Sequence, residues 1–308
     1  MKMKLLRYII PAVLFLASCN NEAIKPQLNL EIGQVYYHNL ISEASIEQKI
    51  MGQDMDVNMT SSSKMSYHVM DKKEDIYEID VTYEKMAIKM SFPFGDMEVS
   101  SESYSEYDIF SQILSKMTGR SFSISLSKNG KISNISGFES IFTDVFDLFS
   151  EMPQEEINQI KDQILQSFGD EAFKGNIEMV TAIFPDKYVS RRDKWTIDTR
   201  LEALMGGDIN SIFQLNRITD SYYYISGRSQ IVTDDDNAHL PIGKMPISYD
   251  MQGSMTSEVK LDRETGWVIE SSIVQNLSGT TTMKDSSLPQ GELSFPMSMK
   301  SEITITSP

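Results

Sequence analysis

Long runs in which every second residue is apolar constrain this chain more than any other feature. Tyr77, Ile79, Val81 and Tyr83 alternate with Glu78, Asp80, Thr82 and Glu84, and Met86, Ile88, Met90 and Phe92 carry the pattern on against Ala87, Lys89 and Ser91. Met65, Tyr67 and Val69 alternate with Lys64, Ser66 and His68. Met255, Val259 and Leu261 oppose Thr256, Glu258, Lys260 and Asp262, while Met297, Met299, Ile303 and Ile305 oppose Ser298, Lys300, Glu302 and Thr304. Successive side chains of a strand point to opposite faces, so the pattern predicts antiparallel sheet with one buried side and one wet side. Asn129-Gly130, between apolar runs at 122–126 and 132–135, predicts a two-residue hairpin, and Glu264-Thr265-Gly266 a second hairpin before Trp267.

Helix is expected mainly in the middle. Phe138, Ile141, Phe142, Val145, Phe146 and Phe149 recur at spacings of three and four, which predicts a helix with a broad apolar stripe. Pro153 suits the first position of a second helix with a stripe of Ile157, Ile160, Ile164, Leu165 and Phe168, stopped by Gly169. A third runs from about Asn176 to Ile183, ahead of Pro185, and 104–116 reads as a further short helix. The fold class is therefore α+β: a curved, mainly antiparallel sheet with a helical segment, about 138–184, packed on it. The series from Gln34-Val35-Tyr36 through 65–68 to Asn129-Gly130 has a parallel in Lys194-Trp195-Thr196 through 221–224 to Thr265-Gly266. Residues 32–186 and 187–308 thus read as similar β-rich halves of one continuous domain.

The first 18 residues carry Lys2, Lys4 and Arg7, no acidic group, and an apolar run from Tyr8 to Ala17. That run is shorter than the roughly 20 residues needed to cross a bilayer core, and it fits a secretory signal. Leu16-Ala17-Ser18-Cys19 resembles the lipobox of bacterial lipoproteins. The resemblance implies cleavage after residue 18, lipidation of Cys19, and a membrane partner reached through the acyl chains. Asn20 follows rather than Asp, which by the same resemblance favours the outer membrane over the inner one. Residues 19–31 are polar and read as a flexible tether.

Charge and composition exclude several function classes. Three of the 28 basic residues lie in the first 18 positions, so the rest of the chain has 25 basic against 44 acidic groups, a net charge of −19. That balance argues against nucleic acid as a partner. A single cysteine excludes a disulfide framework, a thiolate zinc site and an iron–sulfur cluster. No glycine-rich phosphate loop and no G-x-S-x-G elbow occurs. His38, His68 and His239 are scattered and read as surface or sheet-face residues. Asp54-x-Asp56-x-Asn58 begins like a calcium loop, but Met59 replaces the turn glycine and Met65 the bidentate glutamate. Asp234-Asp235-Asp236-Asn237 reads as a solvated loop, and Arg191-Arg192 as a basic pair on a turn. No metal, no cofactor and no catalytic residue is expected.

The lipobox, the strand Asp80-Val81-Thr82-Tyr83-Glu84 and the stretch from Lys194-Trp195-Thr196 through Asp208 together resemble a family of Bacteroidota envelope lipoproteins of unknown function. That family brings no activity and no site residues. A curved sheet with helices on its concave face is also similar to the periplasmic lipoprotein carriers, which implies an apolar ligand between sheet and helices. Eighteen methionines follow the signal segment, many on the inward strand faces, and Met suits both irregular cores and apolar pockets. Three readings stand: an envelope lipoprotein that binds an apolar ligand, with Phe138, Phe142, Phe146 and Phe149 facing it; a tethered interaction module with a filled core; and a hydrolase using carboxylates.

Overall fold

The computed structural model describes residues 23–103, 108–202, 205–234, 247–284, 288 and 291–308. Cys19, His239, most of the Asp234–237 run and the start of the expected 104–116 helix lie outside them.

The alternating segments form β1 (Val35–Ile50), β2 (Gln53–Asp54), β3 (Val57–Lys73), β4 (Ile76–Phe92), β5 (Gly95–Ser100), β6 (Ser121–Ser127) and β7 (Ile132–Ser136) in the first half. The second half supplies β8 (Lys194–Glu202), β9 (Gly206–Ile218), β10 (Tyr222–Thr233), β11 (Ile247–Asp262), β12 (Val268–Lys284) and β13 (Glu292–Thr306). All pairings are antiparallel, in the order β7-β6-β4-β3-β1-β13-β12-β11-β10-β9-β8, with β2 on β1 and β5 on β4. The first half meanders from the centre to one edge. The helices carry the chain to the opposite edge, and the second half meanders back until β13 pairs with β1. The two halves are therefore the two wings of one open, curved sheet.

A β-bulge explains a break in the alternation. Tyr83 pairs with Met65 and Lys85 with Lys64, which leaves Glu84 unopposed. The inward positions of β4 consequently switch from odd (Tyr77, Ile79, Val81) to even (Met86, Ile88) across that point. The extra residue is held on the outer face by an ion pair from Lys64 at 2.6 Å.

The helices are α1 (Ile109–Met117), α2 (Gln154–Phe168) and α3 (Asp170–Thr181). The expected helix over 138–149 is instead two short 3-10 turns, Phe138–Phe142 and Phe146–Phe149. The tighter winding stacks residues three apart, and Phe138, Ile141, Phe142, Val145 and Phe149 are all buried in it. Arg120 fixes the junction, donating to the Ser140 carbonyl and pairing with Asp144. Pro153 precedes α2 as its cap residue rather than opening it, and Gly169 ends it as expected. The third helix begins six residues earlier than the pattern predicts, because Ala172 and Phe173 are already buried and Asp170 and Glu171 suit its positive N-terminus.

Helix α3 touches β7 and β8, the two extreme edges of the sheet, and also β12. Ten strand spacings would separate those edges by about 48 Å in a flat sheet. A helix of this length is only about 18 Å long. The sheet must therefore curl around α3, and specific bonds hold it there. Glu178 accepts from the Ile132 backbone N–H (2.6 Å), Thr181 donates to the Gly130 carbonyl (2.7 Å), and the Trp195 indole donates to the Ile183 carbonyl (2.9 Å). At Gly130 the expected two-residue turn becomes a three-residue one, with Gly130 at φ +79°. A Cβ there would meet the Thr181 carbonyl oxygen at 1.8 Å, so the position needs glycine on two grounds.

Residues 24–31 are not a free tether. Leu28 and Leu30 are buried, and backbone bonds join Leu28 to Lys128, Asn29 to Thr265 and Ile24 to Val189. Pro26 is buried too and Ile24 packs against the core, and with Leu28 and Leu30 they pin the stretch to the body.

Candidate functional site

The predicted ligand-facing phenylalanines pack against protein. Phe138 lies edge-on to Phe122 of β6 at 4.6 Å and near Phe173 of α3 at 6.0 Å, and Phe122 in turn meets Phe173 at 4.8 Å. Phe142, 1% exposed, sits between Phe138 and Phe146. Phe149 is buried as well, and Phe146 is half-buried under the Lys161 ammonium. This cluster fills the space between one wing and α3.

The centre of the sheet differs. On the inner face of β1, Leu40, Ser42 and Ile46 are only half-buried. Their partners on the same face, Met299 and Ile303 of β13 and Met59, Ser61 and Ser63 of β3, are half-buried too. On the β9–β12 side the inward positions Leu215, Ile225, Val259 and Ile273 are buried. On the other side Ile79, Val81 and Ile124 are buried too, while Ile88 and Met90 of β4, opposite Ser61 and Met59, are half-buried like the central strands. A trough with apolar walls and three serine hydroxyls therefore runs along the central strands, interrupted by the buried pair Ala44 and Ser301. The apolar stripe of α2, Ile157, Ile160, Ile164 and Leu165, is likewise only partly covered.

Beside the trough lies a buried polar belt. The Ser301 hydroxyl donates to Gln275 Oε1 at 3.0 Å, and Gln275 Nε2 reaches the sulfurs of Met179 and Met255. The Ser257 and Ser271 hydroxyls and His38 Nε2 are buried with no hydrogen-bond partner among the described residues. His38 is stacked on Trp267 at 4.4 Å, edge-on to Tyr67 at 5.2 Å, and bonded to the Val268 backbone. Burial pushes its imidazole down to about 3, against which the bond to Val268 works only weakly. His38 is thus neither surface nor solvated. Its sequence signal was the alternation Tyr36-x-His38-x-Leu40, which places it inward.

The acidic segment Asp54–Asp56 lies at the far end of β1, in a cleft of about 460 Å³ shared with Glu47, Lys49 and Met297. Asp54 pairs with Lys49 at 3.5 Å. Among the described residues, no group of three or more His, Cys, Asp or Glu is placed to hold a metal ion.

No curated protein matches this sequence. The fold is similar to lipovitellin, in a structure describing lipid–protein interactions, with 8% identity over 91% of this chain and a TM-score of 0.48. The chain spans only 25% of that protein's length. It is also similar to an outer membrane channel from Pseudomonas putida F1, with 6% identity, coverage of 91% of this chain and 97% of that one, and a TM-score of 0.27. Residues 74–268, more than half of the sequence and reaching from β4 to the start of β12, match a family of unknown function, DUF6263, and the chain belongs to that family.

Proposed function

We propose that this protein is a non-catalytic lipoprotein of the bacterial envelope, anchored through Cys19 to the outer membrane, that holds an apolar ligand of the acyl-chain class in the central trough. The observation that carries the reading is the contrast along one face. The wing from β9 to β12 is filled, while the innermost strands keep Leu40, Ile46, Met299 and Ile303 partly open, and the opening extends to Ile88 and Met90 of β4. Leaving such side chains half-covered forgoes about 25 cal/mol for each Å² of apolar surface, which a bound chain would recover. Flexible Met walls suit a ligand of variable shape, and the Ser42, Ser61 and Ser63 hydroxyls offer bonds to a polar end. The second reading, a tethered interaction module, is favoured by Val35 and Ile41, each exposed on the outer face of β1.

Native mass spectrometry of protein purified from its own membrane tests the first reading. The parent protein should carry a non-covalent lipid in addition to its acylated Cys19. Ser42→Phe and Ser61→Phe, which fill the trough, should lose that lipid without loss of melting temperature. A parent protein with no extra mass would reject the carrier reading and leave the interaction module.

A further inference from the structure

The described part of the chain begins at a defined place on the body. Ile24 and Val189 exchange both backbone hydrogen bonds, at 2.9 and 2.8 Å. Cys19 lies five residues before Ile24, and an extended chain of that length reaches at most about 18 Å. An anchor at Cys19, the reading on which this inference rests, therefore keeps the Val189 end of the body close to the bilayer.

The surface found there is unlike the rest of the molecule. Residues 186–194 carry Lys187, Arg191, Arg192 and Lys194 against Asp186 and Asp193, in a chain whose acidic groups otherwise dominate. Lys187, Arg191 and Arg192 are exposed, and none is paired with a carboxylate among the described residues. Tyr188, 71% exposed, stands between them. A bulge in β9 leaves Asn216 unopposed, and Arg192 donates its N–H to the Leu215 carbonyl beside it. Arg191 and Arg217 consequently line one cleft of about 350 Å³, with Asn216, Tyr224 and Glu258. The Arg217 guanidinium lies over the Tyr224 ring at 5.2 Å.

We propose that this basic, tyrosine-flanked face docks on an anionic membrane surface and orients the anchored body. Guanidinium forks match phosphate oxygens, and an exposed tyrosine suits the headgroup layer, where its ring is half apolar. The two arginines of the cleft outnumber its single carboxylate, Glu258. The net charge of the rest of the chain is acidic, which opposes approach to an anionic surface and favours contact through this basic face. Each cation at such a surface strengthens attachment by roughly fivefold.

All the described contacts lie in residues 24–308, so a chain begun at Cys19 keeps them. Its only thiol can be coupled to a maleimide lipid in vesicles of phosphatidylcholine alone or mixed with phosphatidylglycerol. Hydrogen exchange of segments 186–193 and 215–224 should be severalfold slower on the mixed vesicles and should recover at high salt. Arg191→Gln with Arg217→Gln should abolish the slowing at unchanged melting temperature, while Lys300→Gln should keep it. Equal exchange on both vesicle types, or slowing that survives the double variant, would overturn the docking face. Because the coupling is chemical, that outcome is independent of processing in the cell. The mass of the N-terminal peptide from membrane-purified protein reads the anchor separately, and a peptide without acyl chains rejects the anchor and with it docking in the cell.

Discussion

Replacing His38 by Phe should change the pH dependence of stability far more than stability itself. The ring is buried between Trp267 and Tyr67, and Phe preserves that aromatic stack. The Val268 carbonyl that the imidazole meets also accepts from the Ser307 hydroxyl at 2.7 Å, so it stays bonded after the change. The variant also removes the unpartnered Nε2, whose burial costs about 1–3 kcal/mol. At pH 7.5 the two proteins should therefore lie within about 1 kcal/mol, with the variant favoured. Acid separates them. The folded imidazole titrates near 3 instead of 6.5, so below the ordinary value the unfolded chain binds a proton that the folded protein refuses. Stability is complete above about pH 6.5 and is lost as pH falls toward 3. At pH 5, about 1.5 pH units into that window, the loss is about 2 kcal/mol. Urea unfolding followed by circular dichroism at pH 7.5 and pH 5 measures it. Carboxylates common to both proteins cancel, so the variant should lose about 2 kcal/mol less than the parent. Equal losses would show that His38 is not held neutral in the core.

Other expectations follow from the same contacts. Phe142→Ala should destabilise by about 3–5 kcal/mol in denaturant unfolding, the cost of deleting a large ring from a closed core; a loss below 1 kcal/mol would turn the phenylalanine cluster back into a pocket wall. Gly130→Ala, which combines a left-handed backbone with a clash against the Thr181 carbonyl, should cost more than the roughly 1 kcal/mol of an ordinary Gly→Ala strain, and a neutral result would mean that α3 does not rest on this turn. Cys19→Ser should abolish acyl labelling and leave the precursor uncleaved, and normal labelling would refute lipidation there. Chelator and reductant should leave the melting temperature unchanged, while a drop with chelator would restore a cation near Asp54 or Asp234.

Much of the fold was legible where the sheet closes a filled core. Tyr77-Ile79-Val81 and Met255-Val259-Leu261 alternate cleanly since each inward side chain is sealed in the core and each outward one is wet. The bulge at Glu84 was read through as continuous alternation, although the apolar positions change from odd at Tyr83 to even at Met86. Strand order was not legible, because alternation assigns faces and says nothing about neighbours. The joining of β1 to β13 depends on contacts some 250 residues apart. The helical stretch over 138–149 was misjudged because a stripe of three and four fits α and 3-10 winding alike. The strand that read least well was β1. Its inward residues run Tyr36, His38, Leu40, Ser42, Ala44, Ile46, and its outward ones include Tyr37 and Ile41, so neither face is cleanly apolar.

That blur has a physical cause. A strand whose inner face closes a core is selected for apolar residues inside, and its period shows. A strand whose inner face carries a buried neutral imidazole at one end and an open trough at the other has no single partner to satisfy. Ser61 and Ser63 of β3 break the inward pattern opposite the same stretch of β1, in the middle of a strand whose Met65, Tyr67 and Val69 obey it. The departures from alternation thus coincide, across two strands, with a part of the concave face that its own side chains leave half open. If the trough were an ordinary gap in packing, replacing Ser42, Ser61 and Ser63 together by Ala or Val should stabilise the protein and change nothing else. If it holds a ligand with a polar end, the same replacement should weaken retention of that ligand while the fold gains stability. Melting temperature and bound lipid, read together on that triple variant, separate the two.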